Sequence, residues 1–93
     1  MGRLMPCVIE TTARFRKAIR GREAEVLRRL RLVQDGFGKP QVHTGLSIRK
    51  LAEDLFECRT DLKLRLVFLA RRGTLTFDYA GNHDDVQKYL KER

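Results

Sequence analysis

Three runs between residues 55 and 79 alternate apolar and polar side chains with a period of two, and no other feature restricts the possible folds of this chain as strongly. Successive side chains of a strand point to opposite faces, so each run has an apolar face and a polar one. In residues 55–59, Phe56 and Cys58 oppose Glu57 and Arg59. In residues 62–71, Leu62, Leu64, Leu66, Phe68 and Ala70 oppose Lys63 and Arg65. In the last run, Leu75, Phe77 and Tyr79 oppose Thr76 and Asp78. Arg72-Gly73 lies between the last two runs and has the length of a two-residue hairpin turn. An extended piece marked by Leu46, Ile48 and Leu51 precedes them. The pattern predicts three or four antiparallel strands with one covered face.

The material for that cover is N-terminal. Cys7, Val8 and Ile9 predict a first strand over residues 5–10. Thr11 and Thr12 are N-cap residues for a helix over 13–19, with Phe15, Ala18 and Ile19 on one side. Gly21 stops it, and a second helix over 22–34 carries Val26, Leu27, Leu30 and Val33. Its acids, Glu23 and Glu25, precede Arg28, Arg29 and Arg31, which suits the helix dipole. Residues 36–45, with three glycines, Pro40 and His43, predict a loop. Asn82 caps a final helix with Asp84 and Asp85 in its first turn and Val86, Tyr89 and Leu90 on its apolar side. The expected fold is α+β: an N-terminal strand and a helical hairpin packed on one face of a twisted antiparallel sheet of about four strands, with a short C-terminal helix. At 93 residues, the chain is expected to form one domain, residues 1–93.

Charge narrows the partners. The 20 Lys and Arg against 12 Asp and Glu leave a formal charge of +8, which attracts polyanions, nucleic acid first. Membrane is not an expected partner. No apolar run nears the roughly 20 residues of a spanning helix, and the helices lack a basic/apolar split with interfacial aromatics. Residues 1–10 lack the pattern of a secretion signal, so the expected location is the cytoplasm. Cys7 and Cys58 fit neither a disulfide framework nor a zinc site and read as buried thiols. No metal or cofactor is expected. No two of His43, His83, Cys7 and Cys58 share ligand spacing, and no phosphate-cradling glycine loop or nucleophile elbow is present. No feature sets an oligomeric state.

Alternation puts Glu57, Arg59, Lys63 and Arg65 on one sheet face, with Arg59 and Arg65 on neighbouring strands at a separation that straddles one phosphate. Guanidinium forks match phosphate oxygens in pairs and keep their charge. The competing reading is cross-strand ion pairing, Glu57 with Arg59 and Asp78 with Lys63, on a solvated face. His83 follows Gly81-Asn82 at a strand-to-helix junction, where backbone N–H groups favour an anion and imidazole serves as acid or base. The plain alternative is a surface histidine beside Asp84 and Asp85. Arg49 and Lys50 form a basic pair at the entry to the sheet, and His43 reads as structural or incidental.

In four ordered pieces the chain resembles the RelE/ParE superfamily of toxins from type II toxin–antitoxin pairs, in its RelE-like or phage-derived Gp49-like branch. The pieces are Arg49-Lys50-Leu51, Leu55-Phe56-Glu57-Cys58-Arg59, Leu64-Arg65-Leu66-Val67-Phe68 and Ala80-Gly81-Asn82-His83-Asp84-Asp85-Val86. For the RelE-like branch the resemblance implies a metal-independent endoribonuclease that cuts mRNA on the ribosome, with the RNA's own 2′-OH as nucleophile. It implies a protein antitoxin as partner. By resemblance Arg65 clamps the scissile phosphate, Arg59 either stabilises charge or helps raise the reactivity of the 2′-OH, and His83 is the acid or base. Tyr89 lies near a C-terminal tyrosine of some members, and Arg49, Lys50 and Lys63 are expected to contact RNA. Some active members carry two lysines on this strand, at the places that read Glu57 and Arg59 here. Glu57 is expected either to pair with Arg59 or to act as a base. The ParE branch implies the alternative, a non-enzymatic inhibitor of DNA gyrase, and a non-toxic basic RNA-binding module is a third reading.

Overall fold

In the computed structural model, which describes residues 7–93, nine elements follow one another. They are β1 (Val8–Thr11), α1 (Ala13–Ala18), α2 (Glu23–Gly36), α3 (Pro40–Gly45), β2 (Arg49–Ala52), β3 (Leu55–Arg59), β4 (Arg65–Arg71), β5 (Thr74–Gly81) and α4 (His83–Lys91). The α+β class is as expected, but the sheet has five strands in the order β1-β5-β4-β3-β2. It is mixed rather than antiparallel. β1 pairs in parallel with β5, from Val8 opposite Thr74 to Thr11 opposite Phe77, while the other pairs are antiparallel. The expected first strand included residues 5 and 6, which lie outside the described residues.

Local chemistry explains most boundaries. The Thr12 side chain accepts the Phe15 N–H and starts α1, satisfying one of the donors a helix leaves free. Arg72 and Gly73 both have positive φ, 50° and 83°, the geometry of the two-residue hairpin whose twist matches its strands. Two expectations fail. Residues 40–45 form α3 instead of loop: Pro40, which has no N–H to lose, occupies the first turn, and the Leu46 N–H returns to the Val42 carbonyl. The long strand begins at Arg65 rather than at residue 62. Lys63 has φ 67°, which ends any strand, and Leu62 is 74% exposed. That turn is held instead by Thr60, whose Oγ accepts the Leu64 N–H and donates to Glu25, and by Asp61, 2.7 Å from Arg29.

Both faces of the sheet are covered. On one, α1 and α2 bury Phe15, Ile19, Val26, Leu30 and Val33 against Cys58, Leu66, Phe68, Leu75 and Phe77. Phe68 stacks on Phe77 at 4.7 Å, and Phe15 meets Phe77 at 5.5 Å. Each such side chain contributes on the order of 2–3 kcal/mol of apolar burial. Leu27, assigned to this stripe from its spacing, is 55% exposed. On the other face, α4 lays Val86 and Tyr89 over Leu55 and Val67. The residues opposite the main apolar set are therefore not all polar, and only part of that face is left for charged groups.

Candidate active site and nucleic-acid interface

Register decides which candidates meet. Arg59, the last residue of β3, lies opposite Arg65, the first of β4, and Arg65 lies opposite Gly81, the last of β5. Asn82 and His83 follow at once. Three chain segments thus bring Arg59, Arg65 and the start of α4 at His83 to one end of the sheet, with Arg59 beside Arg65 as the alternation placed them. Like charges directly opposed across a strand pair repel, so this end favours an anion.

Glu57 stands two residues inward and is 1% exposed. Its partner is not Arg59. Its Oε2 accepts Arg65 Nη1 at 2.9 Å and Arg49 Nε at 2.7 Å, Arg49 being its register neighbour on β2. Burial without partners would cost a carboxylate several kcal/mol, and two guanidinium groups on one oxygen offset that cost. Sealed in this way, Glu57 cannot reach a substrate hydroxyl as a base. It fixes the direction of Arg65, which is only 14% exposed. Glu57 Oε1 and Arg59 Nε are buried with no protein partner among the described residues. Arg59 therefore keeps an unspent donor beside an arginine already half neutralised.

His83 opens α4 and is 60% exposed, its Nδ1 lying 3.4 Å from Asp84. The helix start is stiff. Asn82 Oδ1 accepts the Asp85 N–H at 2.8 Å, and Asp85 accepts the Asn82 N–H at 3.0 Å, a full capping box. Gly81 makes room for it, since a Cβ there would sit 2.6 Å from the Cβ of Asp85.

The remaining candidates disperse. Lys50 pairs with Phe56, so it points to the face opposite Arg49, and it lies 3.7 Å from Glu53. Lys63 is in the turn before β4 instead of on a strand. Tyr89 is buried and cannot touch RNA directly: it stacks on Tyr79 at 5.3 Å and donates to Asp78 at 2.8 Å. Burial first, and then the Asp78 hydrogen bond, raise its pKa. Asp78 is thereby taken from the expected pairing with Lys63. His43 Nε2 accepts the Gly38 N–H at 2.7 Å and burial lowers its pKa, a structural histidine as anticipated. Both cysteines are free, with the Cys58 thiol pushed by burial up to about 12. Among the described residues, no three His, Cys, Asp or Glu side chains gather as a metal would require, and no helix is long and apolar enough to cross a membrane.

Period-two reading missed one group altogether. Arg14, Lys17, Arg20 and Arg22, from α1 and the turn after it, surround a cavity of about 760 Å³ together with Lys63. Arg65 and His83 are not part of its wall, but Gly81 and Asn82 are. Helical spacing of Arg14 and Lys17 was the available signal.

A helical hairpin over a five-stranded mixed sheet, with a capped helix on the reverse face, is an arrangement this chain shares with several solved structures. Solved structures with this arrangement include YafQ from Escherichia coli, 15% identical, with a TM-score of 0.58 over 84% of this chain and 94% of that one. The E. coli DinJ-YafQ toxin-antitoxin complex matches at 11% identity, a TM-score of 0.61, and 88% and 98% of the two chains. A copper-bound mutant toxin from Helicobacter pylori matches at 16% identity and a TM-score of 0.59, over 86% and 98%. No family model and no curated protein sequence matches the chain.

Proposed function

We propose that this chain is the toxin of a toxin–antitoxin pair and that it is an endoribonuclease acting on mRNA at the ribosome, in the cytoplasm, restrained by a protein antitoxin. The fold shared with YafQ and the H. pylori toxin supports the class. The observation that carries the chemistry is that Arg59 and Arg65 lie opposite each other at the sheet end where, two residues past Gly81, the exposed His83 opens α4. In the proposed reaction the 2′-oxygen of the RNA bonds to phosphorus and the bond from phosphorus to the 5′-oxygen breaks. The products are a 2′,3′-cyclic phosphate and a 5′-OH, with one proton leaving the 2′-OH and one reaching the 5′-oxygen. Arg59 and Arg65 balance the charge that builds on the non-bridging oxygens, and His83 moves a proton. Glu57 holds Arg65 in place, a positioning residue rather than a base. In the test, expression of the wild type arrests growth and stops incorporation of labelled amino acid, while Arg65→Ala and His83→Ala relieve the arrest and still fold. Full toxicity in both variants would sink the assignment.

One observation favours a second reading, a non-enzymatic toxin of the same fold directed at DNA gyrase. Part of the charge of Arg65 is committed to the buried Glu57 and is not free for RNA. Such a toxin would leave early translation intact and induce a DNA-damage response. Precursor incorporation in the first minutes after induction separates the two.

A further inference from the structure

The cationic cavity beside α1 is not explained by the proposed catalysis. Arg14, Lys17, Arg20, Arg22 and Lys63 converge on it from two separate stretches of chain, and all five are exposed. Among the described residues none of them forms an ion pair. The wall holds a single carboxylate, Asp85, which is engaged by the Asn82 N–H in the capping box. Five cations around one concavity repel one another, and a concave wall focuses their field, so the arrangement favours an anion with several charges. At about 760 Å³ the space exceeds what a lone inorganic ion fills and falls within the range of ligand sites. Its floor is partly apolar, with Leu64, Ala80 and the half-buried Tyr79, which stacks on Tyr89, over whose ring the Arg14 guanidinium lies at 5.7 Å. Aromatic floors inside basic grooves are how single strands are bound without regard to sequence. Gly81, which ends β5 opposite Arg65, and Asn82, which caps α4, both belong to this wall.

We propose that this cavity is a second nucleic-acid site that holds the phosphodiester backbone of single-stranded RNA adjoining the segment at Arg59 and Arg65. The inference rests on the ribonuclease reading only in naming RNA as the polyanion.

The test is fluorescence anisotropy with a labelled, uncleavable 2′-O-methyl RNA of about ten nucleotides, a footprint typical of small single-strand binders. Affinity is measured across a salt series for three proteins of unchanged thermal unfolding: wild type, Lys17→Ala/Arg20→Ala/Lys63→Ala, and a control, Arg28→Ala/Arg31→Ala/Lys39→Ala, with the same loss of charge elsewhere. The cavity variant is expected to bind on the order of tenfold more weakly at low salt. Its salt slope should be shallower by about 2, since each phosphate contact to a single strand contributes about 0.7. The control should stay near wild type. Equal losses in both variants, or none in either, would overturn the proposal. So would a polyglutamate peptide of matching charge that binds as tightly as RNA and is lost in the cavity variant, because the site would then be for acidic protein. A protein that binds RNA through the cavity but cuts none sinks the nuclease reading and leaves this inference standing. One that cuts RNA but binds it regardless of the cavity residues sinks the inference alone.

Discussion

The two faces of the sheet are built by different rules. Under the helical hairpin the contacts are almost wholly apolar, with Phe15, Phe68 and Phe77 fully buried. Under α4 a smaller apolar group, Leu55, Val67, Val86 and Tyr89, adjoins a buried carboxylate and its two arginines. Apolar burial is non-directional and tolerates repacking, whereas an ion cluster stabilises only in one geometry. The first face holds the fold together, and the second aims side chains.

If that division is right, Phe68→Ala carries the largest cost, about 3–5 kcal/mol in urea unfolding, enough to unfold much of so small a domain. A cost under about 1 kcal/mol would break the contrast at its stronger end. Glu57→Ala comes next, at about 3 kcal/mol, because it strands the mostly buried Arg65 without a partner. It should also abolish toxicity in whatever fraction remains folded, which an apolar truncation under the hairpin would not do. Val86→Ala, which opens a gap under α4, is expected to cost about 2 kcal/mol and leave the arginines in place. Asn82→Ala removes the cap of α4 for about 1 kcal/mol, read from the same unfolding curves. The smallest effect is on reactivity. A thiol reagent at pH 8 should label Cys7 well before Cys58, whose raised pKa leaves little thiolate until the chain unfolds.

Elements defined by neighbouring residues were legible in the sequence. Residues 55–59 form β3 as the alternation of Phe56 and Cys58 required, and Asn82 with Asp85 announced the start of α4. Long-range pairings were not legible. Nothing near Val8 or Thr74 says that β1 and β5 pair in parallel. Leu62 sits in phase with Leu64 and Leu66, but the positive φ of Lys63 takes it off the strand. Short α3 was hidden by its proline and its glycine, residues that also begin and end helices. At the site, alternation correctly put Arg59 and Arg65 side by side. It could not choose the partner of Glu57, because that choice depends on Arg49 crossing from β2. The α1 cations escaped because attention to strand faces ignores what a helix contributes beside the sheet.

The end of the sheet bearing Arg59, Arg65 and His83 is proposed to cleave RNA through the 2′-OH. The most direct measurement supplies purified protein with programmed ribosomes, maps cuts by primer extension and determines the end chemistry of the fragments. Wild type should cut the mRNA and leave 2′,3′-cyclic phosphate and 5′-OH ends, with folded Arg65→Ala and His83→Ala slower by at least on the order of a hundredfold. Intact mRNA with wild type, or equal cutting by the variants, would contradict it.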